Sequence, residues 1–371
     1  MRQTGFLLFE DGICFKGVGV GRPGVYCGEA VFNTAASGYL EIFSDPSYAG
    51  QIVVMTSPHI GNYGISTQDA ESEKGYPGAI VIRELCRHGS NFRMEVELND
   101  WLNSNGIPAL VGVDTRAITR FIRQAGSMRS VVCIGDVALE EANRILSGSP
   151  RMEGSEWVSK VSCDRSYEWS EPLSEEFFGK PERSLQTKPI VVYDFGVKRN
   201  TLRHLVHRGF RVVVVPWDTS SEWVSSYNPS GILLSNGPGD PATLPTVVNE
   251  IQKLLSQLPI FGICLGHQLL GRALGATTFK LPFGHHGANH PVRDLTTGRI
   301  EITSQNHGFA VDPSSLPDTA EITHWNLYDS TLEGFQVHSK NAFAVQFHPE
   351  AAPGPRDSNH LFDRFQQLIQ Q

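Results

Sequence analysis

The stretch Pro259-Ile-Phe-Gly-Ile-Cys264-Leu-Gly-His-Gln268 decides the fold. A short apolar run meets Gly-Ile-Cys-Leu-Gly, and a helical pattern, Gln268-Leu-Leu-Gly-Arg-Ala-Leu274, begins at once. That order reads strand, sharp turn, helix. It is the thiol form of the Gly-x-Ser-x-Gly nucleophile elbow, in which glycines two residues either side let the backbone bend tightly enough to present one side chain above a sheet. Cys264 is the side chain presented. A helix N-terminus beside it favours a thiolate through the dipole and the free N–H groups. A lone cysteine in such a turn is more often buried and inert; the flanking glycines turn the reading towards a nucleophile.

A cysteine nucleophile needs a base, and the base needs something to orient it. Phe343-Ala-Val-Gln-Phe-His348-Pro-Glu350 reads as an apolar strand with His348 and Glu350 at its end. Residues two apart on an extended segment share a side, and the intervening proline excludes helix, so Glu350 is expected to hold one imidazole nitrogen while the other faces Cys264. Taken alone, His-Pro-Glu is an ordinary surface turn. With the elbow it makes a candidate Cys264–His348–Glu350 triad.

Ser235-Asn-Gly-Pro-Gly-Asp240 follows another apolar run. Gly-rich turns after strands also cradle phosphates, but this one lacks a following Lys-Ser/Thr and the Gly-x-Gly-x-x-Gly spacing. The remaining readings are a plain tight turn or a source of backbone N–H donors for a tetrahedral oxyanion.

Together, Phe261 to Gln268, Phe347 to Glu350 and Leu234 to Pro241 resemble the class I (triad) glutamine amidotransferases, which hydrolyse glutamine to glutamate and deliver ammonia to a synthase. The resemblance implies oxyanion donors at the Gly237 and Leu265 N–H groups, with Gly239 in the same loop. It implies a glutamine pocket in which Asn306, Gly308 and Phe309 lie over the substrate and Gln268 meets its α-amino acid end. In the N-terminal half, Val31 to Tyr48, Pro58-His-Ile-Gly-Asn62 and Val113-Asp-Thr-Arg116 resemble the small, glutaminase subunits of carbamoyl-phosphate synthetase, as do Phe283 to Pro291 and Gln305 to Val311. By that resemblance Ser47 reaches the glutamine site from the N-terminal domain; on residues alone, Asp-Pro-Ser is a turn. It also implies a large synthetase subunit as partner, receiving ammonia through an enclosed path. No nucleotide-binding motif is read, so no cofactor is expected in this chain, and ATP and Mg are expected on the partner.

The 371 residues suit two domains. A hydrophobic share of 40% and a charged share of 19% are those of an ordinary globular protein. A net charge of −8 with no basic block argues against nucleic acid or an anionic membrane surface. Six cysteines with no Cys-x-x-Cys pair fit a reducing compartment, and no signal-peptide or membrane-length run is present, so the chain is expected to be cytoplasmic. The histidines of Phe283-Gly-His-His-Gly-Ala-Asn-His290 lack metal spacing, and no metal site is expected.

Residues 1–150 read as a strand-rich α+β domain, with a hairpin around Asp11-Gly12 and a helix capped by Asp114 with Ile118, Phe121 and Ile122 on one face. The polar stretch 151–187 reads as a linker whose Trp157 and Trp169 pack against something. From 188 to 371 strand and helix alternate, predicting an α/β open, mostly parallel sheet flanked by helices, with ligands outside the carboxyl ends of its strands. Two rivals stay open: a glutaminase serving a nucleotide or aromatic-amine synthase, and a non-catalytic subunit that keeps the fold. The second would show loss of Cys264, His348 or Glu350, and all three are present.

Overall fold

The computed structural model describes residues 3–182 and 188–370. The chain divides into two compact units: one gathers the described residues through Ser155 with Pro282–Gly287, the other those from Glu156 to Leu281 and from Ala288 onward.

In the first unit, seven strands among the described residues close into a barrel. They are β1 (Gln3–Phe9), β2 (Cys14–Val20), β3 (Gly24–Asn33), β4 (Gln51–Met55), β5 (Ala79–Ile82), β6 (Ala109–Val111) and β7 (Arg129–Ile134). The order is β1-β2-β6-β5-β4-β3-β7, with β7 returning antiparallel to β1. The Asp11-Gly12 turn forms the expected hairpin, with Gly12 at φ 92° and Leu8 opposite Cys14. β4 and β5 pair in parallel with neighbours on both sides and are buried throughout, which suits their Ile/Val runs. Helix α1 (Thr115–Ala125) is capped by Asp114, whose Oδ1 accepts from Ala117 N–H at 3.0 Å. Its Ile118 and Ile122 join Leu7, Phe9, Ile52 and Val81 in the core. Pro282–Gly287 belongs here too: Thr34 N–H donates to His286 O at 3.1 Å, and Phe283 stacks on Phe32. Ser47 lies buried in a 3-10 turn, its N–H donating to Asp45 Oδ1 at 2.9 Å.

The second unit is built on a sheet with ten described strands. Its parallel centre is β9 (Ile190–Asp194), β10 (Val212–Pro216), β11 (Gly231–Leu234), β12 (Ile260–Ile263) and, late in the chain, β17 (Ala342–Val345). These run in the order β10-β9-β11-β12-β17, a doubly wound arrangement. Helices α2 (Arg199–His207), α3 (Pro245–Leu254), α4 (Leu265–Ala273) and α5 (His360–Gln370) alternate with or follow them. Two apolar clusters cover the opposite faces of this centre: Val191, Ile232 and Ile260 pack on the side of α3 and α4, Val192, Leu233 and Phe261 on the side of α2 and α5. Beyond β17 the sheet turns antiparallel through β16 (Leu332–Val337), β15 (Glu321–Asn326) and β13 (Thr278–Asp294) to β14 (Ile300–Val311).

Three details differ from the sequence reading. The stretch read as a linker holds β8 (Tyr167–Trp169), which pairs antiparallel with β10, and Trp169 packs on the α2–α5 cluster with Arg199 stacked over it; residues 183–187 lie outside the description. Gln305 to Val311 continues a strand already running from Ile300 rather than turning into one. The strand before His348 stops at Val345, so His348 and Glu350 stand beyond it. Among the described residues, no helix is long and apolar enough to cross a membrane.

Candidate active site

The parallel strands of the second unit end at one edge, and the sequence-predicted residues of this unit cluster there. β12 delivers Cys264, which has φ 55° and ψ −103°, a combination that an L-residue adopts only under strain. The glycines on either side explain how the turn closes. A Cβ on Gly262 would lie 2.7 Å from Gly266 O, and one on Gly266 would lie 2.1 Å from Leu234 O. Both positions exclude any larger residue, which is the physical content of the Gly-x-Cys-x-Gly pattern. The bend is pinned from both neighbouring strands: Cys264 N–H donates to Val345 O at 2.9 Å and Gly266 N–H to Ser235 O at 3.0 Å. Helix α4 starts at Leu265, and Cys264 O accepts its first turn from Gln268 N–H at 3.2 Å.

His348 follows β17 as an isolated bridge to Ser304, its N–H donating to Ser304 O at 2.9 Å. Its Nδ1–H donates to Glu350 Oε1 at 2.7 Å, with both side chains buried. A carboxylate only accepts, so this bond fixes the tautomer and leaves Nε2 for other work. Nε2 is buried with no hydrogen-bond partner among the described residues. The alignment comes from a turn, Ala351 N–H donating to His348 O at 3.1 Å, rather than from strand alternation. Burial alone would depress the imidazole; the Glu350 carboxylate, then the negative charge of the Cys264 sulfur, overcome it and hold it well above its ordinary value. Burial likewise opposes ionisation of Glu350, and Lys198 and His348 outweigh it, holding the carboxyl below its usual range. As a thiol, Cys264 donates to Asn306 O at 3.6 Å.

Next to the elbow, the loop after β11 is shaped by Gly237: a Cβ there would meet Phe195 O at 2.2 Å and Leu265 Cδ2 at 3.0 Å. The Gly237 and Leu265 N–H groups make no hydrogen bond to a described residue. Gly239 takes φ 95°, open to glycine at little cost. Asn236 and Ser235 tie this loop to the one after β9, Asn236 Nδ2 donating to Gly196 O at 2.8 Å and Phe195 N–H to Ser235 Oγ at 2.9 Å.

Gln268 is buried on α4, its Nε2 donating to Phe309 O at 2.8 Å and Gln346 Oε1 at 3.1 Å. Asn306, Gly308 and Phe309 sit on β14, so the strand that carries them is also the one bridged to His348. The structure thus brings together Cys264, His348, Glu350, Gly237, Leu265, Gln268, Asn306 and Phe309 within one unit. Ser47 lies in the other.

The sequence reading passed over Lys198 and Asp194. Lys198 Nζ lies 3.1 Å from Glu350 Oε1, both side chains buried. Asp194 ends β9 and accepts from the N–H groups of Cys163 at 2.8 Å, Gly196 at 2.9 Å and Val197 at 2.8 Å, fixing the neighbouring loop. The available signal was position: both stand at the carboxyl end of β9, where ligand-facing residues of such sheets gather.

Residues 191–368 match the family model for glutamine amidotransferase class-I, and residues 7–132 match that for the carbamoyl-phosphate synthase small chain, CPSase domain. The chain is 48% identical over 367 residues to a carbamoyl phosphate synthase small chain of Akkermansia muciniphila, covering 98% of this chain and 96% of that one. The chain belongs to the carbamoyl-phosphate synthase small-chain family. A small chain of Neisseria meningitidis serogroup B is 47% identical over 369 residues, covering 98% of this chain and 97% of that protein, and one of Pseudomonas syringae pv. tomato is 47% identical over 370. Within this small-chain family the second unit is the amidotransferase part, and it marks the chain as a glutamine-hydrolysing enzyme subunit.

Proposed function

We propose that this small chain hydrolyses glutamine through Cys264, His348 and Glu350 and passes the ammonia to a separate large subunit, which uses ATP and Mg to make carbamoyl phosphate from bicarbonate. His348, oriented by Glu350, takes the thiol proton through Nε2; the sulfur attacks the side-chain amide carbon of glutamine. The carbonyl oxygen becomes an oxyanion between the Gly237 and Leu265 N–H groups. When the C–N bond breaks, His348 returns its proton to the leaving nitrogen and ammonia departs, leaving a thioester. His348 then deprotonates water, which attacks the thioester and releases glutamate and the thiol. Gln268, Asn306, Gly308 and Phe309 hold the substrate, Gln268 through its Oε1, since both its amide hydrogens are engaged. The chain supplies no cofactor to these steps.

One observation carries the reading: a cysteine held at positive φ between two glycines that tolerate no side chain, with a buried imidazole–carboxylate pair at 2.7 Å beyond the adjacent parallel strand. The test is to produce the chain with a carbamoyl-phosphate synthase large chain and measure glutamine-dependent carbamoyl phosphate formation. Cys264→Ser and His348→Asn should abolish the glutamine-dependent reaction while leaving the reaction fed with free ammonia intact. Parental glutamine hydrolysis in either variant would sink the assignment.

A further inference from the structure

The outer wall of the first unit's barrel carries apolar residues where strand alternation ordinarily puts polar ones. Val81 and Leu110 belong to the barrel core. Val111, next along β6, therefore faces outward, as does Val18, which stands opposite it on β2. Val18, Val20 and Val111 are half-buried and form the floor of a cavity of about 940 Å³. That size lies within the range of small-molecule sites, ~300–1,000 Å³.

The rim above this floor is polar and cationic. Arg83 and Arg87 come from the segment after β5, and Asn99 and Asn103 from the short helix Leu98–Ser104, one turn apart and so on one face. Neither guanidinium has a hydrogen bond or ion pair to a described residue. Elsewhere in the same unit Arg129 is bonded to Glu10 at 2.8 Å and Arg93 to Asp69. The carboxylate of the lining belongs to Glu84, whose Oε2 lies 3.4 Å from His59 Nδ1. Two like charges unanswered at one concave surface draw an anion into it. Each guanidinium fork fits a phosphate or carboxylate through two parallel hydrogen bonds. None of Cys264, His348 and Glu350 lines this cavity, and all three belong to the other unit.

We propose that the cavity binds a small organic anion, with a phosphate or carboxylate head held by Arg83 and Arg87 and an apolar body laid on the valine floor. Asn99 and Asn103 add amide groups that read polar atoms between the two ends. Cys86 also lines the cavity and is half-buried, so an occupant covers its thiol. The site stands apart from amide hydrolysis, and its readout is binding.

The test uses the full chain joined to a carbamoyl-phosphate synthase large chain, with phenyl phosphate and benzoate as probes in titration calorimetry. At least one should bind at a single site with a Kd of about 1 mM or tighter. Inorganic phosphate, which lacks the body, and benzyl alcohol, which lacks the charge, should bind about tenfold more weakly or less. Arg83→Gln combined with Arg87→Gln should weaken the probe about tenfold or more, while Arg120→Gln, on α1 outside the cavity, should leave it unchanged. At ten times its Kd the probe should slow alkylation of Cys86 by N-ethylmaleimide about tenfold, read by peptide mass mapping, and leave Cys14 at its parental rate. This protection also serves if the double variant does not fold. Binding of phenyl phosphate alone makes the head a phosphate, and binding of benzoate alone makes it a carboxylate. Saturation by neither probe, an affinity unmoved in the arginine double variant, or an unprotected Cys86 overturns the proposal. So does binding to the free chain that the large chain abolishes, which would make this face a subunit contact.

Discussion

Replacing Cys264 by glycine should make the folded chain more stable than replacing it by alanine, although both lose the sulfur. Neither φ 55° nor ψ −103° can be relaxed without breaking the Cys264 N–H bond to Val345 O and the Gly266 N–H bond to Ser235 O, so the strain is imposed from both sides. That pair of angles falls outside even the left-handed helical basin, which places the cost for an L-residue near the upper end of the usual range, about 3 kcal/mol. Glycine adopts the conformation freely but loses more chain entropy, about 0.5–1 kcal/mol. It also forgoes burial of one methyl, about 0.8 kcal/mol. The balance favours Cys264→Gly over Cys264→Ala by about 1 kcal/mol, or ~2–4 °C in melting temperature for a unit of this size. Matched thermal melts of the two variants read the difference directly, because the missing sulfur cancels. A glycine variant no more stable than the alanine one would refute the claim that the turn holds its nucleophile under strain.

Two further outcomes concern the same edge. Gly237→Ala puts a methyl 2.2 Å from Phe195 O, so the loop must withdraw its N–H from beside Leu265 at a cost in stability; glutamine turnover of the folded variant should fall by about 10²–10³, measured as kcat against KM. Glu350→Gln removes the carboxylate bonded to buried Lys198 and His348 and should cost about 3–5 kcal/mol at neutral pH. Because the folded carboxyl is held below its ordinary value of about 4.5, its contribution is complete above that value and fades as pH falls towards the depressed one. The imidazole is raised, so its share is complete below about 6.5 and fades as pH rises through the raised value. Parent and variant melting temperatures should therefore differ most between about pH 4.5 and 6.5 and converge in strong acid; a gap that stays constant down to strong acid would contradict this.

The elbow was legible because everything that makes it is local: two glycines, a thiol and the start of a helix within ten residues. The His348–Glu350 partnership was legible in its spacing but not in its cause, since the strand ends at Val345 and a turn does the aligning. The parallel sheet followed from strand and helix alternation, whereas barrel closure did not, because it depends on β1 meeting β7 more than a hundred residues later. Lys198 was invisible for a related reason: nothing near it in sequence is acidic in the right place, and its partner is supplied by position 350. The return of Pro282–Gly287 to the first unit lies beyond any local pattern, since a histidine-rich run carries no sign of which core will take its Phe283.

The twin tethers on the bend at Cys264 also bear on how such a catalyst can be altered. Sulfur, oxyanion loop and histidine segment hang from three adjacent parallel strands, so none can drift without dragging the others. Adjusting reactivity by changing the rim alone will meet stiff resistance. Variants that repack the apolar residues beneath it, Leu233 and Phe261 among them, are the ones able to move the whole assembly together.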